Sequence, residues 1–307
     1  MGGSTFNLQF NHLVQVLFSD AETLATQLIL TVRMPRVLIA VAAGASLSVA
    51  GALMQGITRN PLASPALFGI NAGAACLLVS AQMGVVPLLN ELPLMLVTAI
   101  GAGLAGALVL IMGGGLTGKL HPTRIVLAGV AVSAFLIAIT HTLLILDEQA
   151  QSALSWLAGS LTDTAWLHWN QLWPWLLVGG GIAIALSQPL NLLALGDDAA
   201  SGLGVSPTKL RLKASVAVVL LAASTVAVTG PIAFVGLLIP HLARKLVGYD
   251  YRILLPVSAL LGAALMCWAD FISRLLVFPT ETPVGLVTVL LGAPCFIWLA
   301  RRQQEQS

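Results

Sequence analysis

Few side chains in this sequence could do acid–base or metal chemistry, because only 8% of its residues are charged. Asp270 and Arg274 stand four residues apart, which places them on one face of a helix where they can form an ion pair. His141 and His241 are isolated, and an isolated histidine is more often a structural residue than a proton carrier. We therefore expect a structural pair near a membrane boundary and no proton pathway.

Catalysis by this chain is not expected. Its three cysteines are scattered through apolar runs without the spacing of metal ligands, and we interpret them as small core residues: Cys76, Cys267 and Cys295. The sequence has no nucleophile motif, metal-ligand cluster or phosphate-binding loop. We expect no catalytic residue, no metal site and no cofactor in this chain.

A segment of polar and small residues near the middle of the chain, 192–205, separates two long apolar runs. Its sequence LLALGDDAASGLGV places two adjacent carboxylates, Asp197 and Asp198, at the start of a short helix. Gly196 precedes this helix and Gly204 ends it. The segment is either a contact surface for a partner protein or an ordinary solvated loop between two spans.

Three arginines lie beside long apolar runs. Arg33 and Arg36 are one helical turn apart just before the first such run, and Arg274 lies near the end of a later one. Each could anchor the chain by extending its guanidinium to the membrane surface. Alternatively, the three could bind acidic side chains of a partner through charge-assisted hydrogen bonds. The residues alone do not decide between these alternatives.

Membrane-spanning helices must position these side chains. Hydrophobic residues make up 58% of the chain, its mean hydropathy is +0.95, and its uncharged runs can cross a hydrocarbon layer of about 30 Å. Backbone groups in lipid must be satisfied within each segment, which favours helices. We predict an all-α, polytopic transmembrane bundle that forms one domain over residues 1–307. Its nine predicted spans are 37–57, 65–86, 92–112, 125–146, 172–190, 214–229, 232–247, 253–272 and 284–300.

The basic residues predict the orientation of these spans, because lysine and arginine accumulate on the cytoplasmic side. Alternate crossings place most of them inside: Arg59, Lys119, Arg124, Lys209, Arg211, Lys213, Arg244, Lys245, Arg252, Arg301 and Arg302. The same crossings place two groups of residues on the outer side: the arginines Arg33, Arg36 and Arg274, and the acidic residues Glu91, Asp147, Glu148 and Asp163. This arrangement requires a break at Gly230-Pro231, since proline removes a helical donor. The N-terminus is then outside, so we expect that a first span is absent or unrecognised.

Small residues recur along two of the predicted spans. They are Gly44, Ser48, Ala52 and Gly56 in one span, and Gly101, Ala105 and Gly106 in another. Such stripes let helices approach closely in a bilayer, which predicts tight packing of the bundle.

Seven ordered blocks of the sequence resemble one known family. They are VRMPR (32–36), GALMQGITRNPLA (51–63), LAGVAVS (127–133), WLAGS (156–160), the segment 192–205, GPIAFVGLLIPHLAR (230–244) and GAPCFIWL (292–299). Over about residues 32–302 the chain resembles FecCD-type permease subunits of bacterial binding-protein-dependent ABC importers for ferric siderophores, haem and cobalamin. The stretches 156–163 and 189–205 are most similar to permeases for ferric citrate and other siderophores.

The resemblance implies ten spans per subunit and two subunits around a central pathway. It also implies that the loop between the sixth and seventh spans, here 191–213, forms a cytoplasmic coupling loop against an ATPase. The residues that the resemblance assigns to this contact are Leu195, Gly196, Asp197, Asp198, Ala199, Ala200, Leu203 and Gly204. Nine spans are evident instead of ten, because the first span of the family is not recognisable in residues 1–31.

The resemblance further implies that outward-facing arginines bind glutamates of a substrate-binding protein. Arg33 and Arg36 match that pattern, and Arg274 matches it less closely. By the same family architecture, the spans 37–57 and 125–146 line the pathway. The mildly polar residues expected there are Met54, Gln55, Ser133 and Thr140.

The resulting hypothesis is a permease subunit in the bacterial inner membrane that imports an iron(III)–siderophore complex similar to ferric citrate. ATP and magnesium are expected to bind separate ATPase subunits. The expected partners are a second permease subunit, two ATPase subunits, a substrate-binding protein and membrane lipid, without nucleic acid. A haem or cobalamin permease of the same family is an alternative. Less favoured alternatives are an ion-coupled secondary transporter and a receptor-type membrane protein without transport.

Overall fold

The computed structural model describes residues 24–89, 91–115, 120–146, 156–277 and 280–304, and these ranges are helical without strands. Three residues whose side of the membrane was predicted, Lys119, Asp147 and Glu148, lie outside the described residues. The helices in chain order are α1 (Leu24–Leu28), α2 (Met34–Thr58), α3 (Ile70–Gln82), α4 (Leu94–Met112), α5 (Pro122–Leu146), α6 (Trp166–Ala194), α7 (Asp197–Gly202), α8 (Pro207–Thr229), α9 (Val235–Val247), α10 (Tyr251–Leu276) and α11 (Val284–Gln304).

Six of these helices are long and apolar enough to cross a membrane, which defines a multi-pass membrane protein. One of the six continues back from α2 through a π-helical turn, Ile29–Arg33, to Thr26 in α1. The helix thus begins well before residue 37, where the sequence pattern placed the start of the first span. Two shorter apolar helices are α3 and Val284–Phe296 in the first part of α11, and α9 covers part of the predicted span 232–247.

Helices α2 and α10 run in opposite directions, because Gly56 at the end of α2 lies against Tyr251 at the start of α10, and ion pairs mark both ends of the bundle. Arg36, in the first turn of α2, pairs with Asp270 near the end of α10. Arg59, directly after α2, pairs with Asp197 at the start of α7. We call these two ends of the molecule the Arg36 end and the Asp197 end. The alternate crossings that the charge pattern predicted are confirmed for these helices.

The predicted break at Gly230-Pro231 is confirmed. Helix α8 ends at Thr229, Gly230 has a φ of +69°, and α9 starts at Val235 after Phe234, whose φ is +66°. With 13 residues, α9 is about 20 Å long, which is too short to cross the bilayer alone. It begins beside the middle of α2, where a Cβ on Gly51 would overlap the carbonyl oxygen of Gly236. The predicted span 232–247 therefore consists of an irregular segment followed by the short helix α9.

Helix α2 is the centre of the bundle and packs against α6, α8, α9 and α10. The small-residue stripe faces α10, because a Cβ on Gly44 would overlap the carbonyl oxygen of Gly262 and a Cβ on Gly56 would meet the Tyr251 hydroxyl. A second close approach joins α3 to α4 at Gly73 and Gly101. Both small-residue patterns therefore act as helix contacts, as predicted.

Two predicted spans differ from the helices in the structure. In place of a helix from residue 65, the chain forms the 3-10 turn Pro65–Phe68 and then Gly69, whose φ of +68° separates this turn from α3. In α6, the helix starts at Trp166 and includes Pro174 and Pro189, so it is longer than the predicted 172–190. In both cases the conformation of the chain around a proline depends on the helices packed against it. The local sequence does not contain that information.

Candidate functional site

The short helix α7 is clamped to the bundle through the carboxylate of Asp197. Arg211 in α8 donates from Nη1 to Oδ2 and from Nη2 to Oδ1, both at 2.8 Å. Arg59 donates from Nη2 to the same Oδ1 and to the carbonyl oxygen of Leu193 at 2.7 Å. The Arg211 side chain is only 5% exposed, and its Nε also donates to the carbonyl oxygen of Ile57 at 3.3 Å. One carboxylate thus joins α7 to the ends of α2, α6 and α8.

The electrostatic environment keeps Asp197 ionised. Hydrogen bonds from Arg211 are the largest cause of a lowered Asp197 pKa, and the charges of Arg211 and Arg59 act in the same direction. Partial burial opposes them with a smaller effect. The adjacent Asp198 is exposed, so the two carboxylates that the sequence places side by side have different surroundings.

The predicted helix in the segment 192–205 is confirmed, and it presents apolar side chains outward. Gly196 precedes α7 with a φ of +126°, and Gly204 follows it with a φ of +83°. Ala200 is fully buried against the bundle. On either side of α7, Leu195 is 67% exposed and Leu203 is 59% exposed. These exposed leucines give the Asp197 end apolar surface that another protein could cover.

A second group of polar contacts stabilises the Asp197 end of the molecule. Asn191 in α6 donates from Nδ2 to Asp250 at 2.6 Å and accepts the backbone N–H of Tyr251 at 2.9 Å. The backbone N–H of Arg252 is the largest cause of a lowered Asp250 pKa. These bonds fix the turn between α9 and α10 to the last residues of α6.

At the Arg36 end, Asp270 binds two of the three arginines that the sequence singled out. It is 2% exposed, and its Oδ1 accepts from Arg36 at 2.7 Å (Nη2) and 2.8 Å (Nε). Arg274 binds Oδ2 at 3.0 Å, so the pairing of Asp270 with Arg274 is confirmed. Arg36 also donates from Nη1 to Glu281 at 2.8 Å. Two carboxylates therefore hold a buried guanidinium.

The third arginine joins this group, which we call the outer cluster: Arg33, Arg36, Asp270, Arg274 and Glu281. The charges of Arg274 and Arg36 both act on Arg33, so the three lie near one another. Glu281 is 28% exposed and also accepts from the Thr162 hydroxyl at 3.2 Å. Docking by Arg36 stays a prediction, but an incoming carboxylate must displace Glu281 to reach it. Arg33 and Arg274 are less enclosed.

The expected pathway residues do not share one environment. Met54 has no exposed surface and Thr140 is 4% exposed, with its hydroxyl bonded to the carbonyl oxygen of Leu136 at 2.8 Å. Their pathway roles stay predictions, and in this conformation the protein encloses both side chains. Gln55 is 2% exposed but reaches a cavity at the Asp197 end. Ser133 is half-buried in α5 and remains a candidate.

Sequence reasoning missed Arg59 and Arg211 as partners of Asp197, and Glu281 as a partner of Arg36. These contacts join residues 138, 14 and 245 positions apart, and no periodic pattern connects such positions. The burial of Arg36 and Arg211 is what makes a carboxylate partner necessary, and the sequence alone does not show that burial.

The described chain is an all-helical membrane bundle with a short helix held by ion pairs at one end and an arginine cluster at the other. Among the described residues, no group of three or more histidine, cysteine, aspartate or glutamate side chains could hold a metal ion. The chain belongs to the FecCD transport family, whose model matches residues 1–302.

Characterised relatives agree with this family membership. The chain is 44% identical to the Fe(3+) dicitrate transport system permease protein FecC of Escherichia coli, over 92% of this chain and 85% of the relative. It is 43% identical to the Fe(3+)-citrate import system permease protein YfmD of Bacillus subtilis, over 90% of this chain and 81% of the relative. The hemin transport system permease protein HmuU of Yersinia pestis is 39% identical, over 90% of this chain and 84% of the relative.

A solved structure has the same fold. It is described as an inward-facing conformation of a proposed metal-chelate type ABC transporter and superposes with a TM-score of 0.82 at 30% identity. The match covers 95% of this chain and 98% of the solved chain. The fold class predicted from the sequence is therefore confirmed.

Proposed function

We propose that this chain is the permease subunit of an ATP-driven importer that carries an iron(III) chelate similar to ferric citrate into the bacterial cytoplasm. The observation that carries the proposal is the clamped helix α7 with the exposed residues Leu195 and Leu203 on either side of it. It lies at the end of the bundle where basic residues predominate. The positive-inside rule makes this the cytoplasmic side of the inner membrane. The Arg36 end then faces outward.

The coupling surface for an ATPase is α7 with its neighbours. Leu195, Leu203, Asp198 and Ala199 are exposed there, whereas Asp197 and Ala200 are turned to the bundle. A partner that pushes on the leucines moves a helix that is tied through Asp197 to α2 and α8. ATP and magnesium bind the partner in this proposal, and this chain supplies only the contact.

The outer cluster is the docking site for a substrate-binding protein. Arg33 and Arg274 offer donors to acidic side chains, and Asp270 holds Arg274 in place. Helix α2 connects the two functional ends: its 25 residues span about 37 Å, with Arg36 in the first turn and Arg59 after the last. Docking outside and ATPase closure inside thus act on the same helix.

A second permease subunit covers α5. This helix is largely unpacked within the chain, with Leu127 65%, Val130 57% and Phe135 66% exposed. An identical or homologous subunit placed against α5 brings Ser133 close to the interface between the subunits. The pathway in this proposal runs along that interface and not through the packed centre of α2.

The relatives' names support the substrate class. Two of those cited carry ferric citrate in their names and are 43% and 44% identical to this chain. Haem is the alternative substrate, because the hemin permease is also 39% identical.

Competition for uptake separates these substrates. The complex of this chain with its partner permease, ATPase subunits and binding protein is reconstituted in liposomes, and ATP-driven uptake of radioactive iron(III) citrate is measured. We expect unlabelled iron(III) citrate to compete and haem not to compete. Competition by haem alone would replace the proposed substrate and leave the transport class intact.

A further inference from the structure

Arg36 is held by two carboxylates, and one of them is much more exposed than the other. Asp270 accepts from Nε and Nη2 of Arg36, and its side chain is 3% exposed. Glu281 accepts from Nη1 at 2.8 Å, and its side chain is 28% exposed. Glu281 is therefore the carboxylate that a charged group of another protein can replace on Arg36.

Hydroxyl groups orient the Glu281 carboxylate. Its Oε2, which binds Arg36, also accepts from the Thr162 hydroxyl at 3.2 Å. An ionised carboxylate only accepts, so Thr162 donates its single hydroxyl hydrogen to Glu281. The Ser160 hydroxyl lies 2.8 Å from the Thr162 oxygen and must then donate to it. Through these bonds Glu281 joins α2 to the segment between α5 and α6.

The residues that follow Glu281 pack against two other segments of irregular backbone. The backbone N–H of Gly285 donates to the carbonyl oxygen of Gly159 at 3.0 Å. A Cβ on Gly285 would overlap the carbonyl oxygen of Ala158 and would lie 3.2 Å from that of Pro231. We call this contact of three chain segments the outer junction: Ala158, Gly159, Pro231 and Gly285. Because the segments touch through their backbones, a displacement of Gly285 requires the other two to move.

One segment of the outer junction continues into the wall of a cavity of about 280 Å³. Ile232 and Phe234 follow Pro231 and line this cavity together with Phe296 of α11. The ring centroids of Phe234 and Phe296 are 6.4 Å apart, and Phe234 has a φ of +66°. A bulky residue keeps such a strained conformation only where its surroundings hold it. Movement of the outer junction therefore changes what holds Phe234 and the shape of the cavity.

We propose that Glu281 is an internal competitor of the docking protein: it occupies Arg36 in the free permease, and a carboxylate of the substrate-binding protein displaces it. Displacement also releases Thr162 and the chain that leads from Glu281 to Gly285, which loosens the outer junction. The inference rests on the proposed docking function and adds its regulation. A partner that binds the released state more tightly shifts the permease towards that state by its difference in affinity.

Binding of the loaded substrate-binding protein to the transporter complex in lipid nanodiscs tests the competition. Glu281→Gln keeps the size of the side chain and removes the competing charge. It should tighten binding about fivefold, the factor that corresponds to one partly exposed ion pair. Thr162→Val removes one of the two bonds to Glu281 and should tighten binding less. Unchanged or weaker binding in Glu281→Gln would show a purely structural role and overturn the proposal.

Glu91→Gln is the matched control. It makes the same chemical change at an exposed residue on the predicted outer side that is not a member of the outer cluster, so binding should not change. An equal gain in Glu91→Gln would indicate general surface charge and overturn the proposal.

Arg274→Gln separates the internal competition from the docking function, because docking requires Arg274 and the competition does not. It should weaken binding. Weaker binding in Arg274→Gln without a gain in Glu281→Gln would leave docking intact and overturn the competition alone. Absence of binding in the wild type and in Glu281→Gln would overturn both.

Hydrogen exchange tests the link from Glu281 to the outer junction. The backbone N–H of Gly285 should exchange faster in Glu281→Gln without any partner, and faster in the wild type when the loaded binding protein is added. Exchange that stays unchanged in either case would overturn the link.

Discussion

Asp197 has two functions in this molecule: it starts α7 and it ties α7 to the bundle. A carboxylate at the N-terminus of a helix is favourable by itself, and the sequence predicted that much. The structure adds a bidentate bond to Arg211 and a bond to Arg59. The movement of α7 therefore reaches α2 and α8 through side chains as well as through the backbone.

Asp197→Asn should lower the uptake achieved per ATP hydrolysed. The change removes the ion pairs of Asp197 with Arg211 and Arg59. Because the carboxylate is 44% exposed, each pair contributes about 1 kcal/mol. A difference of about 1 kcal/mol changes an equilibrium constant between two helix packings about fivefold. The measurement is iron uptake against phosphate release in proteoliposomes. Glu91→Gln is the control, because Glu91 is an exposed carboxylate before α4 that lies outside the coupling and docking surfaces, and it should couple normally. Equal coupling in both variants would refute the clamp.

The lowered pKa of Asp197 also sets a pH expectation. A carboxyl group whose pKa is lowered in the folded protein stabilises it at pH values above the ordinary pKa of about 3.9 and loses this effect as pH falls through the folded pKa. The clamp should therefore persist between pH 7 and pH 5. Spin labels attached at neighbouring positions in α7 and α8 should report the same distance between the two helices at both pH values. A longer distance at pH 5 would show that another group controls the contact.

Asp270 is the residue on which the outer cluster depends. Asp270→Asn leaves Arg36 with one negative partner, Glu281, and removes the carboxylate that Arg274 binds, and removing a member of a buried ion pair costs about 3–5 kcal/mol. We expect a clear loss of thermal stability in detergent. Glu281→Gln should cost less, because Glu281 is 28% exposed and solvent compensates for the lost pair. A larger effect from Glu281→Gln would contradict this ranking.

Short-range pairs were predictable at the residue scale, and long-range pairs were not. The four-residue spacing of Asp270 and Arg274 follows from helix geometry alone. The partners of Arg36 lie 234 and 245 residues away, and the choice among the available carboxylates depends on how the helices pack.

At the scale of elements, the small-residue stripe of α2 decides how close α10 can approach. Gly44→Ala should destabilise the bundle by about 1–3 kcal/mol, because the added methyl overlaps the carbonyl oxygen of Gly262. Gly103→Ala in α4 is the control, since an added Cβ there meets no atom within 4 Å. Thermal unfolding of the two variants in the same lipid discs gives the comparison, and equal midpoints would argue against the close contact.

The helical type of the elements and the break between α8 and α9 could be predicted from hydropathy, charge and one Gly-Pro pair. The ends of the helices could not. The 3-10 turn at Pro65–Phe68 and the late start of α9 both lie beside the middle of α2, where Pro65 contacts Gly236. Irregular backbone at membrane depth is tolerated only where protein covers it, so its position depends on tertiary packing.

At the scale of the whole molecule, polar contacts are concentrated at the two ends of α2, and the exposed face of α5 lies apart from them. These three separate surfaces fit the proposed contacts with a substrate-binding protein at the outer cluster, with an ATPase at α7 and with a second permease subunit at α5. Family membership, shown over residues 1–302, agrees with that division of surfaces.

The energy source for uptake tests the central claim most directly. Proteoliposomes that contain this permease, its partner subunits and the loaded binding protein are supplied with ATP, and iron(III) citrate uptake is measured with and without an uncoupler that abolishes ion gradients. We predict that uptake requires ATP and the ATPase subunits and is unchanged by the uncoupler. Uptake that continues without ATP and collapses with the uncoupler would contradict the account and indicate an ion-coupled transporter.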